Sequence, residues 1–260
     1  MSKYIETFEI KGLWGRCDLV WNEIKEDVNI VVGINGVGKT TLIDAINNHY
    51  TNKRKSNLYK TVKGNDLDSP LTYIQSFDVP ADGKKKSARS PLLDKLLAVV
   101  MQNPDRTSLT NYRLIPVNYP EETKRVNKRV ADFFKMVNGF FSETGKKIDI
   151  DKSNNMPIFN TKTGDVIQLS GLSAGEKQML LILLNVFLMD EKPAVLLMDE
   201  PELSLHITWQ EKLLRTLRQL NPQCQIIIST HSPSIFLDGW RDNIVFIEDL
   251  IKPMDNGTGK

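Results

Sequence analysis

Cysteine and histidine are scarce: two and three among 260 residues. Cys17 and Cys224 lie far apart, and neither stands in a C-x-x-C or other metal-ligand spacing. That excludes a disulfide framework and fits a reducing compartment with both thiols free. Charge of one sign is also lacking, since the net charge is +2, so there is no global pull toward nucleic acid or an anionic membrane. Long hydrophobic runs are absent. The longest, Met179 to Met189, is broken by Asn185 and is too short to span a bilayer. Met1 to Glu6 contains no uninterrupted apolar stretch, so no signal peptide is expected. There are no internal repeats and no sustained heptads, so a long coiled coil is not expected. What remains is an ordinary composition, 40% hydrophobic and 25% charged. At this length it suffices for one large α/β domain or two small ones, in the cytoplasm.

Apolar segments alternate along much of the chain. Ile5, Phe8 and Ile10, then Leu19-Val20-Trp21, read as strands, and Val28 to Val32 as a buried strand. Residues 51–70 are polar and lysine-rich and read as a loop, followed by a strand at Leu71 to Gln75. Asp82 to Ser90 reads as a charged loop, and Pro91 to about Met101 as a helix. Glu121 to Phe141 places Val126, Val130, Phe133, Phe134 and Val137 at helical spacing. Residues 145–168 suggest a small β element with turns at Asn154-Asn155 and Thr163-Gly164-Asp165. From Ser170 the order is helix (Ala174 to Asp190), buried strand (Ala194 to Met198), amphipathic helix (207–220), buried strand (Gln225 to Ser229) and a further strand (Ile244 to Ile247). Apolar strands alternating with helices argue a parallel sheet covered on both faces. Local basic clusters stand at Lys53-Arg54-Lys55, Lys84-Lys85-Lys86, Lys124-Arg125 and Lys128-Arg129. Most such runs are solvated faces; a nucleic-acid contact is the alternative.

Gly33-Ile34-Asn35-Gly36-Val37-Gly38-Lys39-Thr40 has the spacing G-x-x-x-x-G-K-[ST] of a phosphate-binding loop. Its glycines let successive backbone N–H groups of Asn35, Gly36, Val37 and Gly38 curl around phosphate oxygens. Lys39 adds a point charge for the β- and γ-phosphates, and the Thr40 hydroxyl is a Mg²⁺ ligand. Strand before and helix after, from Thr41 on, complete the context that this motif requires.

Chemistry at such a loop needs a carboxylate for Mg²⁺ and a way to activate water. Leu196-Leu197-Met198-Asp199-Glu200 supplies both at a strand's carboxyl end, where ligands bind in open α/β sheets. Asp199 is the candidate Mg²⁺ ligand through water, and Glu200 the candidate general base. Leu172-Ser173-Ala174-Gly175-Glu176 contains an S-x-x-E capping box ahead of an apolar helix. It is either a well-capped helix and nothing more, or an anion site built from Ser173 and Gly175 at a helix N-terminus.

Taken together, these segments resemble the ATP-binding-cassette (ABC) ATPases. Gly33–Thr40 matches the Walker A motif, and Leu172–Glu176 the LSGGE/Q signature with Ala174 replacing its first glycine. Leu196–Glu200 matches Walker B, and His231 in Ser229-Thr230-His231-Ser232-Pro233 the switch histidine. Gln75 is similar to the Q-loop glutamine, a further Mg²⁺ ligand, and Pro201 to His206 occupies the D-loop position. The resemblance implies a P-loop NTPase fold with a mostly parallel core sheet, an N-terminal antiparallel β element and a helical lobe. It implies one domain over 1–260, with the helical and signature lobe at roughly 85–190. It implies ATP and Mg²⁺, with Lys39, Glu200 and His231 as catalytic residues. Asn35 to Thr41 would hold nucleotide on one subunit and Ser173 and Gly175 on the other, in a head-to-tail homodimer or higher homo-oligomer. For adenine, Trp14 or Phe8 is a stacking candidate, and Arg16 a phosphate contact; core packing is the alternative for the two aromatics.

Transporter subunits of this class usually read LSGGQ with an SALD-like D-loop. Here the chain reads LSAGEKQ and DEPELSLH, which resembles the soluble ABC ATPases of the AAA_15/AAA_21 kind, related to RecF, to the overcoming-lysogenisation-defect nucleases and to ATPases of anti-phage systems. In that group the head is often joined to a nuclease or encoded beside an effector. The chain ends soon after His231, and the stretch from Thr41 to Gly171 is too short for long coiled-coil arms by the rise of a helix. The expectation is therefore a nearly bare ATPase head controlling a separately encoded effector, such as a nuclease, in anti-phage defence. A RecF-like repair ATPase that binds DNA is the alternative. A transporter subunit, which would need a membrane partner, is the third reading; no membrane is expected.

Overall fold

The chain runs β1 (Phe8–Leu13), β2 (Cys17–Trp21), β3 (Val28–Val32), α1 (Lys39–Tyr50), β4 (Thr61–Gly64), β5 (Leu71–Ile74), α2 (Pro91–Val100), α3 (Leu109–Arg113), α4 (Ile115–Asn118) and α5 (Thr123–Phe141). It continues with β6 (Lys146–Ile148), β7 (Ile158–Asn160), β8 (Val166–Ile167), α6 (Ala174–Leu188), β9 (Ala194–Asp199), α7 (Ile207–Leu220), β10 (Cys224–Ser229), β11 (Ile244–Phe246), α8 (Ile247–Leu250) and β12 (Ile251–Pro253). This computed structural model describes residues 1–52, 56–75, 90–101, 107–149 and 156–254. The Lys53–Lys55 and Lys84–Lys86 clusters, the 82–90 loop except Ser90, and the Asn154-Asn155 turn lie outside them. The chain divides into two compact units, residues 1–76, 191–203 and 210–260 in the first, 77–190 and 204–209 in the second.

In the first unit a five-stranded parallel sheet has the order β11-β3-β10-β9-β5. Every residue of β3, β9 and β10 is buried, which is why these strands are unbroken apolar runs rather than alternating ones. In register, Ser229 stands beside Asp199 and Val31 beside Ser229, so three strands end together. The loop after β3, the acids at the end of β9 and the turn after β10 therefore share one edge. A second, antiparallel sheet has the order β12-β2-β1-β4. Its Phe8, Ile10, Leu19 and Trp21 join Leu42, Ile43 and Ile46 of α1 in one hydrophobic core. Burial of each such side chain contributes about 1.5–3 kcal/mol.

The second unit holds α2 to α6 and a three-stranded antiparallel sheet, β6-β7-β8. α6 is buried on nearly all sides, as its apolar run demands. α5 buries Val126, Phe133, Phe134, Val137, Phe140 and Phe141, and exposes Lys124, Lys128 and Lys135. Trp209 packs on Phe140 and Phe141, its indole N–H donating to Glu143 Oε2 at 2.8 Å. Asp190 accepts from Arg125 and Tyr112 at 2.8 and 2.7 Å. Burial alone would raise its pKa, but those two partners hold the carboxyl below its ordinary value.

Several boundaries differ from the sequence reading. The supposed loop at 51–70 contains β4, a half-exposed strand that exists because β1 offers it a ladder, Phe8 opposite Gly64. Residues 109–118, on which the sequence reading places no element, form two short helices. The last parallel strand stops at Phe246, because Ile247 and Leu250 are buried by a helical turn instead. α6 ends at Leu188, and Asp190 and Glu191 turn through left-handed backbone, φ 55° and 57°.

Candidate functional site

β3 delivers the chain to the glycine loop. Gly36 and Gly38 hold φ of 78° and 110°, a conformation that side chains resist. A Cβ on Gly38 would also lie 2.8 Å from the Trp14 ring, so the loop and this indole are in close contact. Gly38 caps α1 with no side-chain hydrogen bond, and no acid stands in the first turn of that helix. The positive end of the helix is thus left for an external anion. Lys39 is buried, and its ammonium donates to the carbonyls of Gly33 and Ile34 at 3.0 and 3.1 Å. Burial lowers its pKa, opposed by the charges of Glu200, Asp199, Glu248 and Glu202.

A cavity of about 540 Å³ opens over this loop. Asn35, Gly36, Gly38, Lys39, Thr40, Thr41, Glu200 and His231 line it, together with Trp14 and Leu203. The Thr40 hydroxyl donates to Asp199 Oδ1 at 3.2 Å, and Ser229 Oγ donates to the same oxygen. Burial raises the Asp199 pKa, against the two hydroxyls. Glu200 adopts φ 44°, a strained left-handed backbone of the kind that collects at functional sites. Its N–H donates to the Ser229 carbonyl at 3.0 Å, which pins the turn to β10. His231 Nε2 lies 3.2 Å from Glu200 Oε1. The hydroxyl and carboxylate oxygens of Thr40 and Asp199 are hard donors suited to Mg²⁺, which takes few protein ligands and completes its shell with water and phosphate. Gln75 follows Ile74, the register partner of Met198, and so stands next to Asp199 across the sheet edge. Among the described residues, no group of three His, Cys, Asp or Glu side chains is arranged for a metal.

Of the remaining candidates, Val37 packs its side chain against the core, and Phe8 is fully enclosed there beside His49 and Tyr50. Arg16 is exposed. Trp14 is therefore the aromatic at the cavity. Ser173 and Gly175 belong to the second unit. The capping box forms: Ser173 Oγ accepts from the Glu176 N–H at 3.2 Å, and Glu176 Oε2 accepts from the Ser173 N–H at 2.8 Å. Glu176 Oε1 pairs with Lys146 Nζ at 2.7 Å. Ser173 itself is exposed and uses only an acceptor lone pair, so its hydroxyl proton is available. A Cβ on Gly175 would lie 2.3 Å from the Ser204 carbonyl oxygen.

Three contributors escaped the sequence reading. Ser229 orients Asp199; Glu248 Oε1 accepts from the Ile34 N–H at 3.2 Å; and Glu202 accepts from Thr230 and His231. Each acts across a chain separation that no local pattern encodes. Neither cysteine belongs to the cavity, and burial pushes the Cys224 thiol up to about 12.

A glycine loop, an acidic strand end and a histidine turn on the carboxyl edge of a parallel sheet define a P-loop NTPase fold of the ABC-ATPase type. The family described as "AAA domain, putative AbiEii toxin, Type IV TA system" matches residues 48–238. The chain belongs to this family. The "Septu protein PtuA" of Bacillus thuringiensis is 24% identical over 287 aligned positions, covering 88% of this chain and 72% of the relative. The "Retron Vc95 probable ATPase" of Vibrio cholerae serotype O1 biovar El Tor is 29% identical over 133 positions, 44% of this chain and 26% of that longer protein. The Smc head solved in complex with the C-winged helix domain of ScpA shares the fold, with a TM-score of 0.54 at 18% identity over 90% of this chain and 91% of that one. Among the described residues no helix is long and apolar enough to cross a membrane.

Proposed function

We propose that this chain hydrolyses ATP and acts as an ATP-gated switch in bacterial anti-phage defence, in the cytoplasm, controlling a separately encoded effector. One observation carries the reading: Lys39, Thr40, Glu200 and His231 line a single cavity at the end of an uncapped helix. Lys39 would exchange its two loop carbonyls for phosphate oxygens, and the free N–H groups at the start of α1 would bind the same anion. Thr40 and Asp199 would hold Mg²⁺, with Gln75 beside them; the ion supplies charge neutralisation at the β- and γ-phosphates. Glu200 would take a proton from the attacking water as its oxygen bonds to the γ-phosphorus and the bond to ADP breaks, giving ADP and phosphate. His231, in contact with Glu200, would hold that water and the γ-phosphate in line. Trp14 would lie against the base.

Ser173 and Gly175 would complete the site on a second copy of the chain, the Ser173 hydroxyl donating its free proton to the γ-phosphate. ATP would then favour the closed head-to-tail dimer through its unequal affinity for the two states. The domain is read as one ATPase head over 1–260 with a helical and signature lobe near 85–190. Retron and Septu relatives support the defence setting; the effector, such as a nuclease, is inferred from resemblance to that group. The test is phosphate release together with light scattering. E200Q should slow hydrolysis by about 10²–10⁴ while still binding ATP and dimerising with it. Hydrolysis at the wild-type rate would remove Glu200 from the mechanism, and a monomer at saturating ATP would remove the shared site.

A further inference from the structure

Glu202 is a buried carboxylate to which ATP chemistry assigns no task. It stands in the 3-10 turn Pro201–Ser204 after β9, only 8% exposed. Its Oε1 accepts two hydrogen bonds, from Thr230 Oγ1 at 2.6 Å and from the backbone N–H of His231 at 2.8 Å. Its Oε2 is buried and has no hydrogen-bond partner among the described residues. Buried polar atoms without a partner are rare and costly in native proteins, so packing does not explain an acid here. An apolar side chain would fill the same space without that cost. Burial pushes this carboxyl up, against the two bonds that favour its ionised form.

The surrounding bonds show what the acid holds. Thr230 Oγ1 also accepts from the Ser232 N–H at 3.0 Å. Ser232 Oγ donates to Gln210 Oε1 at 2.5 Å, and Gln210 Nε2 donates to the Glu202 carbonyl at 3.4 Å. The chain of contacts closes on itself, from Glu202 through Thr230, Ser232 and Gln210 back to Glu202. His231 lies inside this ring, tied by its own N–H, and its imidazole reaches out to Glu200 at 3.2 Å. Backbone position is what the ring fixes, and a reacting group displaced by about 1 Å loses on the order of 100-fold in rate.

We propose that Glu202 is the positioning residue for His231: its Oε1 fixes the Thr230-His231 backbone, and so sets where the imidazole meets Glu200 and the cavity. The assignment rests on His231 acting in hydrolysis, as read above. Three variants test it, with H231A as the reference. E202A removes the acceptor and should lower kcat by about 10–100-fold with ATP affinity changed less than about twofold. E202Q keeps an oxygen at the Oε1 position and should restore kcat to within about threefold of wild type. In the double variant E202A/H231A, kcat should fall no further than in H231A alone, because the two residues act as one unit. The backbone amide proton of His231, followed by NMR, should move upfield in E202Q, since an amide oxygen is the weaker acceptor.

Fully additive losses in the double variant overturn the proposal, as does wild-type kcat in E202A when H231A is slow. A His231 amide unmoved in E202Q overturns it independently, and this isosteric variant decides the matter if E202A melts too early to assay. If H231A hydrolyses at the wild-type rate, the catalytic reading of His231 fails and takes the positioning role with it. A shifted amide in E202Q would then show that the contact is real and that the histidine's role was the error.

Discussion

The two helix N-termini named by the sequence motifs are built in opposite ways. α1 starts from a left-handed Gly38 with no side-chain cap and no acid in its first turn. α6 starts from a complete capping box, with Glu176 returning to the Ser173 N–H and anchored by Lys146. One end leaves its amides open to water or to a ligand; the other is satisfied by its own side chains before any ligand arrives. Substitutions at the first end should therefore change nucleotide binding, and those at the second should change stability. The exposed Ser173 hydroxyl shows that self-capping leaves a donor to spare. That spare donor is what a second copy could use.

The largest expected effect is at the open end. K39M should weaken ATP binding by about 100-fold or more, the scale of losing one charge-assisted phosphate contact, while leaving the melting temperature nearly unchanged. Calorimetric titration and a thermal melt on the same sample check both halves. A large fall in the melting temperature would mean that Lys39 serves the fold as much as the ligand.

The self-satisfied end should respond the other way. K146M strands the Glu176 carboxylate, whose side chain is 2% exposed. The cost should be about 2–3 kcal/mol in chemical unfolding at neutral pH, below the range for fully buried pairs because Lys146 keeps some solvent contact. pH sharpens this prediction. Burial alone would raise the Glu176 pKa, yet Lys146, Thr144 and the Ser173 N–H hold it below its ordinary 4.5. A carboxyl depressed in the folded state stabilises above its unfolded value, and that stability is lost as pH falls through the folded value. The Glu176 contribution should accordingly fall as pH drops below about 4.5, with Asp190 acting in the same direction and Asp199 and Glu202, whose pKa values burial raises, acting in the opposite one. In K146M burial would dominate, so the Glu176 share of the acid limb should vanish or reverse. An unchanged pH–stability curve in K146M would remove the ion pair from this account.

Smaller effects probe the edges of the comparison. G175A sets a Cβ against the Ser204 carbonyl, a backbone atom that cannot swing aside, and should cost about 1–3 kcal/mol. A melt identical to wild type would show that the turn yields. W14A should weaken adenine nucleotides by about 1 kcal/mol and inorganic triphosphate much less, if the indole stacks on the base. Equal losses for both ligands would assign Trp14 to holding Gly38 in place.

Much of this was legible in the chain. The glycine loop, the S-x-x-E box and the apolar runs of β3, β9 and β10 are each written within a few consecutive residues, where sterics, capping and burial are local matters. β4 was not, because Thr61–Gly64 has weak patterning and becomes a strand through its ladder with β1. Phe8 and Trp14 were equal candidates for the base until packing enclosed one and left the other at the cavity. Val37, read within the loop, turns its side chain to the core because the loop curls at Gly36 and Gly38.

By itself the sequence determined the parts: a phosphate loop, a strand ending in two acids, a histidine after a buried strand and a self-capped helix. Short-range backbone geometry suffices for each. Tertiary structure alone decided their arrangement, because parallel register sets Ser229 beside Asp199, and burial places Glu202 beneath His231 and Glu248 against Ile34. Those pairings depend on strand order and on which side chains the core excludes, and neither is contained in any local stretch of the chain.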